Sequence, residues 1–509
     1  MYHAYTCGFN GFGQIEELEF NMKSYLNMAM KALDIDHSET KEQKLPSETA
    51  TKKFKEHSKH DKTHADTQSC KSPISESRQL QSLTMSTDLT RKRKMKETDD
   101  DSVKRPFPSQ TWNRNIVLLW KICSFADGIQ LEHVEMTWSR CAVTLLARKD
   151  LEYKKQYHTV ICGYPGAAKD SSESLLLHLS DTEIKTSNEA GMLLQEEDKL
   201  LLLREGSRTA EPVTLVTQGS GDIRDASSIG CVSATASEII IAYDGISVGK
   251  VSLECEESES AARKSSGDGP RLVLTCLDSG LSIQQVSCGL EHSVFLMRHG
   301  TVLTCGSGSR GQLGHGSLEG EEVPRVVSAM EGLRCVCVSA GGWHSAVVSD
   351  CGDLYMWGWN ESGQLGLPCP ALERHKQHHQ SDHGQECLEQ QKLAESGETT
   401  AASLHLWPQC VDVVDVGCVN VEENAVVQVA CGTRHSVVLT ERGQVFSTGW
   451  NKYGQLGLAH TDSVDQFSCV IFTGHQEATV TQFWCGAWNT FFVVKETSDT
   501  TEQYDTDTS

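Results

Sequence analysis

Three histidine–serine pairs are the first residues in this chain whose types could do chemistry: His292-Ser293, His344-Ser345 and His435-Ser436, each three residues after a glycine. A histidine beside a hydroxyl can act as general base to a nucleophile, and several histidines together can ligate a metal. Neither reading suits one repeated position with Asn489 in its last copy, because a single centre needs no copies. Repetition predicts a hydrogen-bonding residue at the start of a strand instead. The chain's twenty cysteines include no C-x-x-C pair, the closest being Cys335 and Cys337, so they read as reduced, packed small hydrophobes. His375, His378, His379, His383 and Cys387 crowd one stretch. His379 and His383 could share a metal on a helix, but the surrounding Gln, Ser, Glu and Gly predict a loop with no ordered support. Gly306-Ser307-Gly308-Ser309-Arg310-Gly311 lacks the Lys-Ser/Thr of a phosphate loop and opens no helix. No catalytic residue, metal or cofactor is expected, and the chain does not read as an enzyme.

The elements that position these residues follow from an internal repeat. Segments 286–316, 338–368 and 429–459 align without gaps, each with Gly-x-x-His-Ser, an apolar stretch, a turn ending in Gly, a second apolar stretch and Gly-Gln-Leu-Gly. Alternation in His292 to Leu296 predicts a strand, Arg298-His299-Gly300 a turn, and Val302 to Cys305 the returning strand. The turn glycine recurs as Gly352 and Gly443, and a second repeated glycine as Gly306, Gly358 and Gly449. An outer strand around Pro324 to Val327 completes a four-stranded unit of about 50 residues, the size of a propeller blade. A last unit starts at Phe483 and lacks its second half, which stands at the other end as Tyr5 to Ile15. Shared between the two terminal segments, such a blade closes a ring and hides sheet edges. Starts at 134, about 183, 232, 286, 338, 429 and 483 predict an all-β, seven-bladed β-propeller with disordered insertions.

Residues 1–15 then supply the first strand, 106–285 degenerate blades, 286–368 well-kept repeats, and 409–495 a repeat and the closing blade. Residues 16–105 read as a mostly disordered insertion, 369–408 as a low-complexity loop, and 496–509 as an acidic disordered tail. Ile15 to Leu33 has the spacing of an amphipathic helix. Arg91, Lys92, Arg93, Lys94 and Lys96, then Lys104 and Arg105 after an acidic spacer, suit a bipartite nuclear-import signal. The 509 residues suggest about three domains by length alone. Removing the inserts and tail leaves 365 residues, about 52 per blade of a single domain. No apolar run reaches the ~18 residues of a membrane span, and no basic n-region precedes an apolar one, so a soluble intracellular chain is expected. Its 46 basic and 69 acidic residues give a net charge of −23, which disfavours DNA binding by bulk charge and points to protein partners.

Residues that break the repeat with bulk are the candidates for such a partner. Trp343, Trp359, Asn360, Glu361, Trp450 and Trp488 sit where the pattern places blade loops, and tryptophan is a frequent anchor of protein interfaces.

Gly-Gly-Trp-His-Ser at 341–345 followed by Trp-Gly-Trp-Asn-Glu-Ser-Gly-Gln-Leu at 357–365 resembles the regulator of chromosome condensation repeat family. The resemblance is strong over 286–368 and 409–494, includes the closure at 5–15, and fades over 109–260. It implies a seven-bladed propeller; the founding member is a chromatin-bound nucleotide exchange factor for the Ran GTPase, and other members are interaction platforms. Cys-Gly-x-Trp-Asn-Thr at 485–490 and the Gly-Phe-Gly-Gln at 11–14 narrow it to a branch with few clear repeats. That branch implies a nuclear, chromosome-associated, non-enzymatic adaptor of a Jumonji-type histone lysine demethylase. Its setting would be histone methylation, transcriptional repression and mitotic spindle and chromosome segregation. The implied state is a monomer within a hetero-complex, with histones as a further contact, no membrane and no base-specific DNA binding. The alternative is a guanine-nucleotide exchange factor for a Ran-like small GTPase, although 134–260 offers no face matching an exchange site.

Overall fold

The computed structural model describes residues 2–9, 18, 19, 22, 23, 116–125, 129–137, 140–147, 156–163, 175–188, 190–205, 207–253, 271–373, 403–413, 425–472 and 478–496. The import-signal residues and the 374–402 histidines lie outside this set, as does the tail beyond 496. Every described residue belongs to one unit, Met1–Ile35 with Gln110–Ser509.

Alternating apolar residues and glycine-bearing turns fold the well-kept repeats into antiparallel four-stranded sheets. One holds Ile283–Cys288, His292–Met297, Val302–Gly306 and Glu321–Val326; the next holds Cys335–Ala340, His344–Ser349, Leu354–Trp359 and Leu404–Val411. A third holds Val426–Cys431, His435–Thr440, Val445–Gly449 and Val464–Cys469. The strand Leu404–Val411 takes in residues 404–408, which the sequence pattern places in the 369–408 insertion. That strand is the outermost of its sheet and packs on one side only, so its apolar residues stay largely half-buried or exposed, Trp407 among them, without the buried alternation of the inner strands.

The closing sheet is ordered Ile116–Phe125, Tyr2–Phe9, Asn489–Glu496, Ala478–Cys485. Tyr5 pairs with Phe492 on one side and Lys121 on the other, so segments from both ends of the chain share one blade. Beside Tyr2–Phe9, Leu18 and Met22 are helical and buried in the same core, while Glu19 and Lys23 form an exposed ion pair four residues apart.

Seven separate sheets are not what forms. The described residues make six, five of four strands and one of nine. The large sheet arises because Glu211–Thr217 and Arg271–Ser279, outer strands of neighbouring four-stranded halves, pair in parallel from Thr214↔Arg271 to Thr217↔Leu274. This satisfies two sheet edges at once where Gly-Gln-Leu-Gly loops are missing. Eroded repeats therefore still give complete strands, including Thr182–Ser187 where the spacing places a start near 183. The innermost strands touch one another in a closed circuit, ending where Ala478–Cys485 meets Ile129–Met136.

The core lies between sheets, and strand periodicity assigns its two sides. Val294 and Leu296 pack with Val338, Val347 and Trp357 of the following sheet, whereas Phe295 turns back onto Ile240 and Val248. Cys7, Cys305 and Cys431 belong to these layers, and burial pushes each thiol up to about 12, which leaves them unreactive.

Polar stitching between sheets explains the repeat's fixed letters. His292 Nε2 lies 2.9 Å from Ser345 Oγ, His344 Nε2 2.9 Å from Ser436 Oγ, and His435 Nε2 3.1 Å from Thr490 Oγ1. Those hydroxyls donate in turn to the carbonyls of Gln312, Gln364 and Gln455, at 2.8, 2.7 and 2.7 Å. A hydroxyl has one proton, and a carbonyl can only accept, so each histidine must be the Nε2–H donor. Gly289, Gly341 and Gly432 leave room for the rings: a Cβ on Gly341 would lie 2.1 Å from His344 Cε1. Gly306, Gly358 and Gly449 have φ of +105°, +103° and +111°, which bring the third strand's end against the residue preceding each histidine.

Burial holds all three imidazoles neutral, pushing His292 and His435 down to about 4 and His344 to about 3. An unfolded chain takes up these protons near 6.5. Stability present above that pH is therefore lost as pH falls from about 6.5 toward 4, at roughly 1.4 kcal/mol per pH unit for each ring. Denaturant melts at pH 7, 6 and 5 should show this fall, and His344→Asn, which imitates the last blade, should remove one ring's share of the slope, up to about 1.4 kcal/mol per pH unit.

Candidate partner-binding face

The strands alternate in direction, so the turns at Gly300, Gly352 and Gly443 mark one end of the sheets. The loops after the innermost strands mark the other, and the four tryptophans all lie at that second end. There the inner strands surround an open cavity of about 190 Å³, lined by Thr137, Asn188, Thr235, Gly289, Gly341 and Gly432 among others. Serine hydroxyls set the spacing of this mouth: Ser233, Ser287 and Ser339 accept from the backbone N–H of Cys288, Ala340 and Cys431, at 3.0, 2.9 and 2.9 Å.

Two aromatic clusters stand around this end. Trp343 meets Trp359 edge-on, with ring centroids 5.4 Å apart. The Arg310 and Arg434 guanidiniums lie 5.1 and 4.6 Å from the centroid of Trp359. In the second cluster Trp450 contacts Trp488 at 5.1 Å and Tyr453 at 4.9 Å, and Phe9 reaches Tyr453 at 4.9 Å. One backbone bond builds both: the N–H of Trp359 donates to Trp343 O, of Trp450 to Arg434 O, and of Phe9 to Trp488 O. The residue before each histidine position is thus held beside the residue after each left-handed glycine.

Two sequence candidates are not where bulk alone places them. Asn360 is 1 % exposed: its Nδ2 donates to Leu367 O at 3.0 Å and its Oδ1 accepts from Leu365 N at 3.0 Å, so it staples its own loop. Trp359 ends a strand rather than occupying a loop and is 7 % exposed. It is a platform seen mainly through the groups stacked on it. Trp343, Trp450 and Trp488 are half-buried and Glu361 is exposed. Burial lowers the Arg434 guanidinium, while Glu361 pulls it back up and Arg310 pushes it further down. Arg310, Arg434 and Phe9 are the residues that pattern reading passes over, whereas Tyr453 is legible as a neighbour of the tryptophans. Aligning the repeats exposes them: Arg434 takes the place of Trp343 and Trp488, and Phe9 that of Trp359 and Trp450.

The histidines do not join this face as chemistry. Their Nε2 atoms are spent on Ser or Thr of the next sheet, and the rings are sealed behind glycines. Because Trp359 is enclosed and Glu361 is not, Trp359→Ala should cost roughly 3–5 kcal/mol and Glu361→Ala no more than about 0.5 kcal/mol, read as shifts in the urea midpoint.

Two models described as the regulator of chromosome condensation (RCC1) repeat match the chain, one at 299–348, 351–385 and 442–493, the other at 283–312, 335–364 and 426–455. Mouse RCC1 domain-containing protein 1 is 37% identical over 222 residues, covering 42% of this chain and 56% of the mouse protein. The human protein of that name is 36% identical over 222 residues, covering 42% and 57%. The chain thus spans a little over half the length of these curated relatives. The crystal structure of human WBSCR16 superposes with a TM-score of 0.51 at 14% identity, covering 76% of this chain and 91% of that one, a likeness of fold. The chain is an all-β propeller that carries RCC1 repeats over 283–385 and 426–493.

Proposed function

We propose that this chain is a non-enzymatic adaptor whose tryptophan-bearing end holds a protein partner, a Jumonji-type histone lysine demethylase, on chromosomes in the nucleus. The observation that carries the reading is the pair of aromatic clusters, built from the variable positions of the repeat on a framework made by its fixed ones. Half-buried tryptophan and arginine around an open mouth suit protein recognition, where such residues dominate binding energy. The choice of partner follows what the motifs at 341–345, 357–365 and 485–490 resemble, and RCC1-repeat propellers suggest a regulator or adaptor of GTPase or chromatin type. We read the nine-stranded sheet as two blades joined at their rims, which makes a seven-bladed ring. Histone methylation, transcriptional repression and chromosome segregation are the processes this adaptor would influence, with histones a further contact and the chain monomeric within the complex.

The test is affinity capture from nuclear extract with the full chain as bait. A Jumonji demethylase should be recovered by the parent and reduced at least about tenfold by Trp450→Ala/Trp488→Ala, provided that variant melts near the parent. Recovery of no such protein overturns the reading, as does clear acceleration of nucleotide release from Ran, which favours the exchange-factor alternative. Nuclear import has its own check: replacing Arg91, Lys92, Arg93 and Lys94 with alanine should shift a fluorescent fusion into the cytoplasm. An unchanged nuclear signal would remove that assignment.

A further inference from the structure

Several charged side chains of this propeller have a visible counter-charge. Arg224 pairs with Asp244, Arg325 with Glu321, and Lys250 with Glu238 at 2.8 Å. Arg310 and Arg434 differ. Their guanidiniums make neither an ion pair nor a side-chain hydrogen bond among the described residues, and both are held over Trp359. Stacking fixes the plane of a guanidinium while leaving its N–H edge free, the arrangement that suits a two-pronged grip on a carboxylate. A chain of net charge −23 has acidic groups to spare, yet two like charges are brought beside one indole with Glu361 as the nearby compensation.

We propose that Arg310, Arg434 and Trp359 form a binding site for the carboxylates of an acidic protein segment. The proposal deepens the reading of this end as a protein-binding face and rests on it. Geometry gives the segment its form. Both guanidinium carbons lie about 5 Å from one ring centroid, so they are at most about 10 Å apart. An extended chain advances about 3.3 Å per residue and presents alternate side chains on one side. Acidic residues at every second position therefore fall about 7 Å apart, within the span of the two arginines. Each arginine can then take one carboxylate, and Trp343, edge-on to Trp359, offers an apolar wall beside them. A polynucleotide would meet the same arginines but also the repulsion of the strongly acidic chain.

The test uses the full chain and a short fluorescein-labelled peptide with aspartate at every second position, followed by fluorescence anisotropy at low salt. The parent should bind it, and the asparagine version of the peptide should not. Arg310→Gln/Arg434→Gln should weaken binding about tenfold or more, whereas Arg334→Gln, exposed at the opposite end, should leave it unchanged. Arg434→Lys keeps the charge without the planar fork and should fall between, which retains a readout if the double variant melts low. No binding by the parent, equal binding of the asparagine peptide, or an unaffected double variant would overturn the proposal. Tighter arginine-dependent binding of single-stranded polyuridine would overturn it as well. Failure of the parent to bind this peptide with intact demethylase capture would refute the acidic-segment proposal alone, while failure of capture with intact peptide binding would refute the choice of partner alone.

Discussion

Successive well-kept sheets are joined by one short relay: an imidazole N–H donates to a hydroxyl on the next sheet, and that hydroxyl donates to a glutamine carbonyl in the loop between them. All three groups are buried, so a missing member leaves an unpaired polar atom in the core rather than a solvated one. The relay also ties parts of the repeat that are far apart in sequence: the histidine at a strand start, the serine one residue later in the next copy, and the Gly-Gln-Leu-Gly loop. It extends to the closure, where Gln455 O accepts from Thr490 on the C-terminal segment and lies 3.3 Å from Cys7 Sγ on the N-terminal one. A ring built this way holds its loop ends at fixed spacing, which recognition by loop residues requires.

That division of labour accounts for the composition of each loop. The letters that repeat are those whose contacts are internal: glycine to admit the imidazole, histidine and serine for the relay, and glutamine, whose side-chain Oε1 accepts the backbone N–H two residues earlier in its own loop. The letters that vary come together on the surface as Trp343, Trp359, Arg310 and Arg434 in one group and Phe9, Trp450, Tyr453 and Trp488 in another. Asn360 shows how the two classes can be confused. It stands among bulky neighbours but serves its own turn, as Asn451 does one repeat later through Leu456 N and His460 O.

Much of this was legible before any coordinates. The repeat spacing locates the innermost strands, even those with eroded sequence near 134, 183 and 232, and the split unit at the two ends reveals the closure. Two things were not. Fusion of two outer strands into one nine-stranded sheet depends on a parallel pairing between segments 57 residues apart, Thr214 with Arg271, which no local pattern encodes. The arginines over Trp359 come from two repeats flanking that of the tryptophan, so their meeting is a product of the ring, not of any one segment. Sequence periodicity reads which residues point inward; it does not read which surface residues converge.

The claim on which the rest stands is that the three histidines are neutral Nε2–H donors locked between sheets. Nuclear magnetic resonance of the full chain with nitrogen-labelled histidine tests it directly. His292, His344 and His435 should each give the spectrum of an imidazole protonated at Nε2 alone, unchanged from neutral pH to about 5, while exposed rings titrate near 6.5. A ring among the three that titrates with the exposed ones, or carries its proton on Nδ1, would contradict the relay.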